Sequence, residues 1–221
     1  EWNALKLLNS KGELISAEAG AKVLDIAAKE DFVFVSVDQL GSYSANDHLF
    51  QQHIDAVVNY PLVDIAAIKK AKFKIVIDAI NSSGAIAVPI LLKALGVTDF
   101  TILNGEVNGK FAHNPEPLPE NLLELCNEVK KQKANLGIAV DPDVDRLCFI
   151  CEDGSLFGEE YTLVAVADYV LENRKGNTVS NMSSTRALKD VTIKHGGEYS
   201  PSAVGEVNVV EVMKTQKAVI G

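Results

Sequence analysis

Three aspartates at alternate positions, Asp141, Asp143 and Asp145, stand between two short apolar runs. Because like charges this close repel one another, the cluster is unfavourable unless a positive group neutralises it. Oxygen ligands alone suit a hard divalent cation, Mg²⁺ or Ca²⁺, rather than zinc. Arg146 follows directly, and its planar guanidinium can bind a carboxylate or a phosphate through two hydrogen bonds. The spacing therefore predicts a cation site beside an anion site, in preference to a solvated acidic turn with Arg146 as its counter-charge.

Other known loop types match these residues less well. In an EF-hand, Asp141, Asp143, Asp145 and Glu152 would occupy positions 1, 3, 5 and 12, but position 6 requires glycine and holds Arg146. A haloacid-dehalogenase-type phosphatase, with Asp141 as its nucleophile, has Thr or Val where this chain has Asp145, so that match is partial. A cation could also stabilise an interaction module that catalyses nothing. The phosphatase and the module stay open as alternatives.

Apolar runs that alternate with helical patterns indicate the fold class. Patterns typical of buried strands cover Lys74–Asp78, Thr98–Leu103, Leu136–Val140, Leu147–Cys151 and Thr178–Met182. Helices are predicted for Ile86–Leu95, Glu120–Lys133, Leu163–Leu171 and Val207–Met213, and for Asp47–Ile68 with an interruption near Pro61. One more strand is expected at Asp31–Val37. Strands separated by helices of this length favour an α/β chain with mixed, largely parallel β-sheets sandwiched between helices.

Polar residues follow the strand pattern Lys74–Asp78. Ser82 and Ser83 stand directly before a predicted helix, where a serine side chain commonly accepts a hydrogen bond from a backbone N–H as an N-cap. The same turn could instead hold a phosphate at the N-terminus of the helix. We favour the cap. His113 lies in a proline-rich turn and is expected to pack or cap.

Composition excludes several classes of protein. The 221 residues carry 21 basic and 30 acidic side chains, a formal net charge of −9, and 47% of them are hydrophobic. Nucleic-acid binding is not expected, because it needs clustered Lys and Arg. No apolar run reaches the roughly 20 residues of a membrane span. The cysteines Cys126, Cys148 and Cys151 show no zinc spacing and suggest no disulfide framework. We therefore expect a soluble, cytoplasmic protein.

The loop Asp141–Arg146 resembles the metal-binding loop, Asp-Gly-Asp-x-Asp-Arg, of the α-D-phosphohexomutases, which include phosphoglucomutase, phosphomannomutase and phosphoglucosamine mutase. Phe111–Pro117 upstream and Gly158–Tyr161 downstream resemble the second domain of that family in the expected order. Glu1–Lys6 is similar to the segment after the family's catalytic serine loop, and Val204–Asn208 to its third-domain glycine loop. The resemblance covers nearly the whole chain.

The resemblance implies that Asp141, Asp143 and Asp145 bind Mg²⁺ and that Arg146 holds a phosphate group. Pro142 stands where glycine is commonest in the family. Because proline fixes φ near −65°, it is compatible only with a position that does not require positive φ. We expect it to be tolerated here.

The implied reaction interconverts hexose 1-phosphate and 6-phosphate, through a phosphoserine and a bisphosphorylated intermediate. Glucosamine phosphate is the expected substrate, with mannose and glucose phosphate as rivals. Lys6 would lie beside the phosphoserine as a proton-transfer or charge-stabilising group, and Gly205 and Glu206 would face the sugar. The serine would precede Glu1 and the sugar-specificity loop would follow Gly221, so the isolated chain is expected to be inactive.

Three parts of the chain follow from the same resemblance. Residues 1–43 would be the C-terminal part of domain 1, residues 44–155 the metal-binding domain 2, and residues 156–221 an incomplete domain 3. The expected partner is a phosphosugar, and no pattern points to an oligomeric state.

Overall fold

The computed structural model describes residues 6–46 and 48–221, and within them the chain forms eight α-helices and six β-strands. The helices are α1 (Ala17–Lys29), α2 (Leu49–Val58), α3 (Ile65–Ala71), α4 (Gly84–Ala94), α5 (Leu123–Gln132), α6 (Glu159–Asn173), α7 (Ala187–Lys194) and α8 (Glu206–Gln216). The strands are β1 (Lys74–Asp78), β2 (Asp99–Leu103), β3 (Leu136–Val140), β4 (Leu147–Cys151), β5 (Thr178–Asn181) and β6 (Tyr199–Ser202). The α/β fold class predicted from the sequence is confirmed.

The larger sheet has the strand order β2-β1-β3-β4. Strand β1 is parallel to β2 and to β3, and β4 is an antiparallel edge strand. The central strands β1 and β3 are buried over the last four of their five residues. Their carboxyl ends lie at the same edge of the sheet, where Asp78 pairs with Ala139, two residues before Asp141. This edge therefore collects the polar residues that follow both strands.

Side chains on the central strands alternate between two apolar clusters. Ile75 and Ile77 point to one face and pack against Val88 and Leu92 of α4. Val76 points to the other face and packs in the cluster that includes α5. Each such side chain contributes roughly 1.5–3 kcal/mol through burial. The two helices therefore hold the sheet, and with it the polar edge, from both sides.

The smaller sheet consists of the parallel strands β5 and β6. Val164 and Ala167 of α6 contact Leu188 of α7 in a separate core cluster, and Ile220 packs against its edge. Helix α8 contacts both strands of this sheet. Strand β6 was not predicted from the sequence, and no bounds were predicted for helix α7.

The predicted strand at Asp31–Val37 is wrong. This segment is irregular up to a short 3₁₀ turn at Val37–Gln39, and Val33 and Phe34 are 92% and 87% exposed. A continuous apolar run such as Phe32–Val35 does not by itself make a strand, because strands are stabilised by pairing with a neighbour. No described strand pairs with this segment.

Helix α1 was not predicted from the sequence. Its N-cap Ser16 accepts a hydrogen bond from the Ala19 N–H at 3.2 Å, and Glu18 and Lys29 lie where their charges favour the helix dipole. None of its residues is buried. Capping and charge placement therefore favour this helix, and none of its residues lies in a core cluster.

The remaining predictions agree with the structure to within a few residues. Strands β1, β3 and β4 have the predicted bounds. The predicted interruption near Pro61 separates α2 from α3, while Asp47 lies outside the described residues. Within the described chain, no helix combines the length and the hydropathy needed to cross a membrane.

Candidate functional site

The acidic loop, Asp141–Arg146, joins β3 to β4 at the polar edge of the larger sheet. Asp141 is 7% exposed because it directly follows the buried end of β3, whereas Asp143 and Asp145 are exposed. One carboxylate oxygen from each of the three lies within 4.8 Å of the others. Three oxygen donors and no His or Cys form a donor set that fits a hard divalent cation.

The backbone of the loop adopts a tight turn. The Val144 N–H donates to the Asp141 carbonyl at 3.2 Å, and the Arg146 N–H donates to Asp141 Oδ1 at 3.0 Å. Val144 has φ of +61°, an unusual conformation for a β-branched residue that costs on the order of 1–3 kcal/mol. Its side chain packs against the core cluster below. Core packing therefore holds the loop in a conformation that Val144 alone would not favour.

Lys6 supplies positive charge to the acidic loop. Its Nζ lies 2.8 Å from Asp145 Oδ2 and 3.4 Å from Asp143 Oδ2. The hydrogen bond from Lys6 lowers the pKa of Asp145, and the same two carboxylates raise the pKa of Lys6. Burial, together with the charges of Asp145 and Asp143, raises the pKa of Asp141. One lysine therefore leaves the cluster incompletely neutralised, as expected for a site that takes further positive charge.

Arg146 lies beside the carboxylates and has a partner from another loop. Its Nη1 lies 3.1 Å from Glu116 Oε1 and its Nε lies 4.0 Å from Asp141 Oδ2. The hydrogen bond to Glu116 raises the pKa of Arg146. Both side chains of the Arg146–Glu116 pair are about half exposed. The guanidinium is therefore accessible to an anion that displaces Glu116.

The loop that carries Glu116 is anchored by a buried carboxylate, Asp78. The Asp78 side chain is 2% exposed and accepts hydrogen bonds from the Ile80 N–H at 3.1 Å and from Asn104 Nδ2 at 3.0 Å. His113 Nε2 lies 2.9 Å from its other oxygen, and His113 Nδ1 lies 2.8 Å from the Asn114 carbonyl.

Both ring nitrogens of His113 thus face acceptors, which favours the doubly protonated imidazolium. Burial opposes that charge, but the hydrogen bonds to Asp78 and to the Asn114 carbonyl outweigh it and raise the pKa of His113. The His113–Asp78 ion pair therefore anchors the loop that carries His113 and Glu116 to the end of β1.

The turn between β1 and α4 does not have the predicted N-cap. Ser83 is the residue before α4, but its side chain accepts no capping hydrogen bond. Instead Ser82 Oγ and Ser83 Oγ donate to the carbonyl of Pro142, at 2.8 and 2.6 Å. The cap prediction is wrong because Ser83 has helical backbone angles, φ −58° and ψ −26°, instead of the extended angles of a capping residue. Its hydroxyl is directed to the acidic-loop carbonyl, which the parallel pairing of β1 and β3 brings near.

Gly205 and Glu206 begin helix α8. Gly205 has φ of +118°, a conformation that side-chain-bearing residues rarely adopt. Glu206 and Lys6 line one cavity of about 580 Å³ between the N-terminal segment and α8. Lys214 of α8 pairs with Glu13 at 2.6 Å across it. The structure thus brings Glu206 and Lys6 to one cavity, whereas Gly205 shapes the backbone before α8.

Sequence reasoning singled out Lys6, Arg146 and the three aspartates, and the structure brings these five together. Sequence reasoning missed two ion pairs, that of Glu116 with Arg146 and that of Asp78 with His113. A carboxylate at the end of a buried strand was a usable signal for Asp78. Of the segment Glu1–Lys6, which resembles the segment after the catalytic serine loop, the structure describes only Lys6.

Comparison with known proteins gives matches along the chain. Residues 51–154 match the family described as phosphoglucomutase/phosphomannomutase, alpha/beta/alpha domain II, and residues 158–221 match domain III of the same description. A phosphoglucomutase/phosphomannomutase from Thermococcus kodakarensis is 33% identical, over the whole chain and 48% of the relative. A phosphoglucosamine/phosphogalactosamine mutase from Sulfurisphaera tokodaii is 28% identical, over the whole chain and 49% of the relative.

The fold has solved counterparts as well. The crystal structure of a phosphoglucomutase/phosphomannomutase family protein from Burkholderia thailandensis superposes with a TM-score of 0.76 at 25% identity. The match covers 94% of this chain and 43% of that one. The chain therefore spans about half the length of the curated relatives it matches.

Proposed function

The chain belongs to the phosphoglucomutase/phosphomannomutase family, and we propose that it forms the metal-binding part of a Mg²⁺-dependent phosphohexomutase. The proposed reaction interconverts hexose 1-phosphate and 6-phosphate through a phosphoserine and a bisphosphorylated intermediate. Family membership favours this function over the phosphatase and the interaction module.

One observation carries the proposal. Three carboxylate oxygens converge within 4.8 Å, with the Lys6 ammonium beside Asp145 and the Arg146 guanidinium beside Asp141. Phosphoryl transfer depends mainly on positioning and on stabilising the negative charge of the transferred group. A cation held by the carboxylates, together with these two positive side chains, matches that requirement.

Each side chain has a proposed role. Asp141, Asp143 and Asp145 hold Mg²⁺, which when bound supplies Lewis-acid stabilisation of phosphate oxygens. Arg146 binds a phosphate through two parallel N–H donors after Glu116 is displaced. Lys6 donates hydrogen bonds or a proton from Nζ at the acidic loop.

Two further residues are proposed to face the sugar. Glu206, which shares a cavity with Lys6, accepts hydrogen bonds from sugar hydroxyls, and Gly205 shapes the backbone at that point. Glucosamine phosphate is the proposed substrate, in line with the name of the Sulfurisphaera tokodaii relative. Mannose and glucose phosphate are its rivals, since one pocket contact can separate an amine from a hydroxyl.

The domain division belongs to the proposal too. We assign residues 1–43 to the end of domain 1, residues 44–155 to domain 2 and residues 156–221 to domain 3. A cytoplasmic location, expected from the cysteine pattern, and a phosphosugar as partner complete the proposal.

The test is mutase activity of a protein that carries this chain together with the catalytic serine and the sugar-specificity loop. Asp143→Asn is expected to lower the rate with glucosamine phosphate by about 10²–10³-fold, the effect of losing one electrostatic contributor. Asp99→Asn, on the exposed start of β2, is the matched control and should leave the rate unchanged. A wild-type rate in Asp143→Asn would refute the metal assignment.

The isolated 221-residue chain gives a second test. It is expected to show no turnover of glucosamine, mannose or glucose phosphate. Hydrolysis of small phosphoesters by this chain, with an aspartyl-phosphate trapped at Asp141, would instead support the phosphatase.

A further inference from the structure

The carbonyl oxygen of Pro142 accepts two hydroxyl hydrogen bonds from a distant part of the chain. Ser82 Oγ lies 2.8 Å away and Ser83 Oγ lies 2.6 Å away. These serines precede Pro142 by 60 and 59 residues. A carbonyl oxygen has two lone pairs, so two donors satisfy it completely. Pro142 itself lies between Asp141 and Asp143.

Proline makes these two hydrogen bonds decisive for the loop. Its ring fixes φ, so the remaining soft backbone torsion at Pro142 is ψ. The position of the carbonyl oxygen defines ψ. Because the following peptide is planar, holding that oxygen also sets the direction of the Asp143 N–H and of the backbone that carries its side chain. The ring and the two hydroxyls together determine the path from Asp141 to Asp143.

The serines are themselves held in place. Ile80 and Asn81 have φ of +44° and +54°, a strained pair that persists only where its surroundings enforce it. The Asn81 N–H donates to the Asn104 carbonyl at 2.7 Å, and Asn81 Oδ1 accepts from the Ala112 N–H at 3.1 Å. The turn is therefore tied to two neighbouring loops.

Helix α4 also begins in direct contact with the strand that leads into the acidic loop. A Cβ added at Gly84 would lie 2.5 Å from Cγ2 of Val140, the last residue of β3. The turn that carries Ser82 and Ser83 is therefore fixed relative to the acidic loop at two points. These are the Gly84–Val140 contact and the hydrogen bonds to Pro142.

We propose that Ser82 and Ser83 are positioning residues for the cation site, acting through the Pro142 carbonyl to aim the Asp143 carboxylate at the same point as Asp141 and Asp145. This inference rests on the proposed function, since it concerns the cation that those carboxylates bind. Each hydroxyl has one proton, and both protons are donated to Pro142. The two hydroxyls therefore have no proton left to donate to a phosphate at the α4 N-terminus.

The test uses the 221-residue chain and Mg²⁺ alone as the probe. The dissociation constant is measured by following the amide NMR signals of residues 143–146 during titration. The double variant Ser82→Ala/Ser83→Ala is expected to bind Mg²⁺ about tenfold more weakly, as is typical when partners of metal ligands are removed. Each single variant is expected to bind about threefold more weakly, if the two contributions add.

Two further variants separate positioning from general stability. Ser83→Thr keeps the hydroxyl and should bind Mg²⁺ within about twofold of wild type. Ser184→Ala is the matched control, since Ser184 lies in the turn after β5 and donates to Asn181 within that turn. Hydrogen exchange in EDTA should speed up at the Val144 and Arg146 amides in the double variant and not in Ser184→Ala.

Asp143→Asn is titrated in parallel to separate this inference from the proposed function. If wild type binds Mg²⁺ and Asp143→Asn does not, while the double variant and both single variants stay within about twofold of wild type, the positioning role is overturned and the metal site stands. Absence of Mg²⁺ binding by wild type would overturn the metal site and the positioning role together. Should the double variant not fold, the single variants decide by the same criterion.

Discussion

The ammonium nitrogen of Lys6 lies 2.8 Å from Oδ2 of Asp145, a residue 139 positions later in the chain. It lies 3.4 Å from Oδ2 of Asp143 as well. A residue near one end of the chain thus neutralises part of a loop in the larger sheet. Since a divalent cation would bind the same carboxylate oxygens, we expect Lys6 and the cation to compete for Asp143 and Asp145.

We expect Lys6→Met to bind Mg²⁺ about two- to fivefold more tightly than wild type, the range for loss of an exposed competing ion pair. The physical reason is that the cation no longer displaces an ammonium from Asp143 and Asp145. Calorimetric titration of the 221-residue chain measures the change. Lys11→Met, in the same segment, is the control and should bind Mg²⁺ like wild type. Weaker binding by Lys6→Met would show that Lys6 supports the cation site rather than competing with it.

Glu116→Gln should increase the affinity of the chain for inorganic phosphate by about two- to fivefold, because the phosphate then does not have to displace the Glu116 carboxylate from the Arg146 guanidinium. Phosphorus NMR line broadening measures the dissociation constant. Glu120→Gln, four residues further along, removes a charge of the same sign and should change the affinity little. Equal gains in both variants would mean that net charge, and not the Arg146–Glu116 pair, controls phosphate binding.

The raised pKa of His113 predicts a pH-dependent stability. A histidine whose pKa is higher in the folded state contributes its stabilisation fully below the unfolded pKa, about 6.5, and loses it as pH rises through the folded pKa. Asp78 is the ion-pair partner of His113, and the negative charge of Glu124 on α5 also raises the pKa of His113.

His113→Gln should therefore lower the free energy of unfolding by roughly 1.5–3 kcal/mol at about pH 5.5, the range for a hydrogen bond to a charged group, and by less at about pH 8.5. Urea unfolding at the two pH values measures the difference. His53→Gln, exposed on α2, is the control. A loss that stays constant or grows with pH would contradict the imidazolium–carboxylate pair.

Gly84→Ala should destabilise the chain by about 1–3 kcal/mol, because its Cβ would overlap the Val140 side chain. The decisive measurement is a double-mutant cycle with Val140→Ala, which removes the overlapping methyl group. In the Val140→Ala background, Gly84→Ala should cost much less, and the coupling between the two sites should exceed about 0.5 kcal/mol. Additive effects would show that α4 adapts to the extra methyl by moving away from β3.

Local patterns were sufficient for most of the larger sheet. The runs at β1, β3 and β4 are short, apolar and bounded by polar turns, and they form strands at the predicted positions. The same type of pattern predicted a strand at Asp31–Val37 that does not form with any described partner. A short apolar run indicates a segment that is favourable to bury, but it becomes a strand only where a neighbouring strand is available for pairing.

The candidate site divides in the same way. Asp141, Asp143, Asp145 and Arg146 are neighbours in the chain, so their spacing alone determined that three oxygen ligands and a guanidinium occur together. The partners that orient them come from elsewhere: Lys6, Glu116, and the serines that hold Pro142. Hydrogen bonds act over about 3 Å while these residues are separated by tens of positions, so only the tertiary structure brings them together. The pairing of β1 with β3 and the packing of α4 place the serines at Pro142, whereas Lys6 comes from the N-terminal segment and Glu116 from a separate loop.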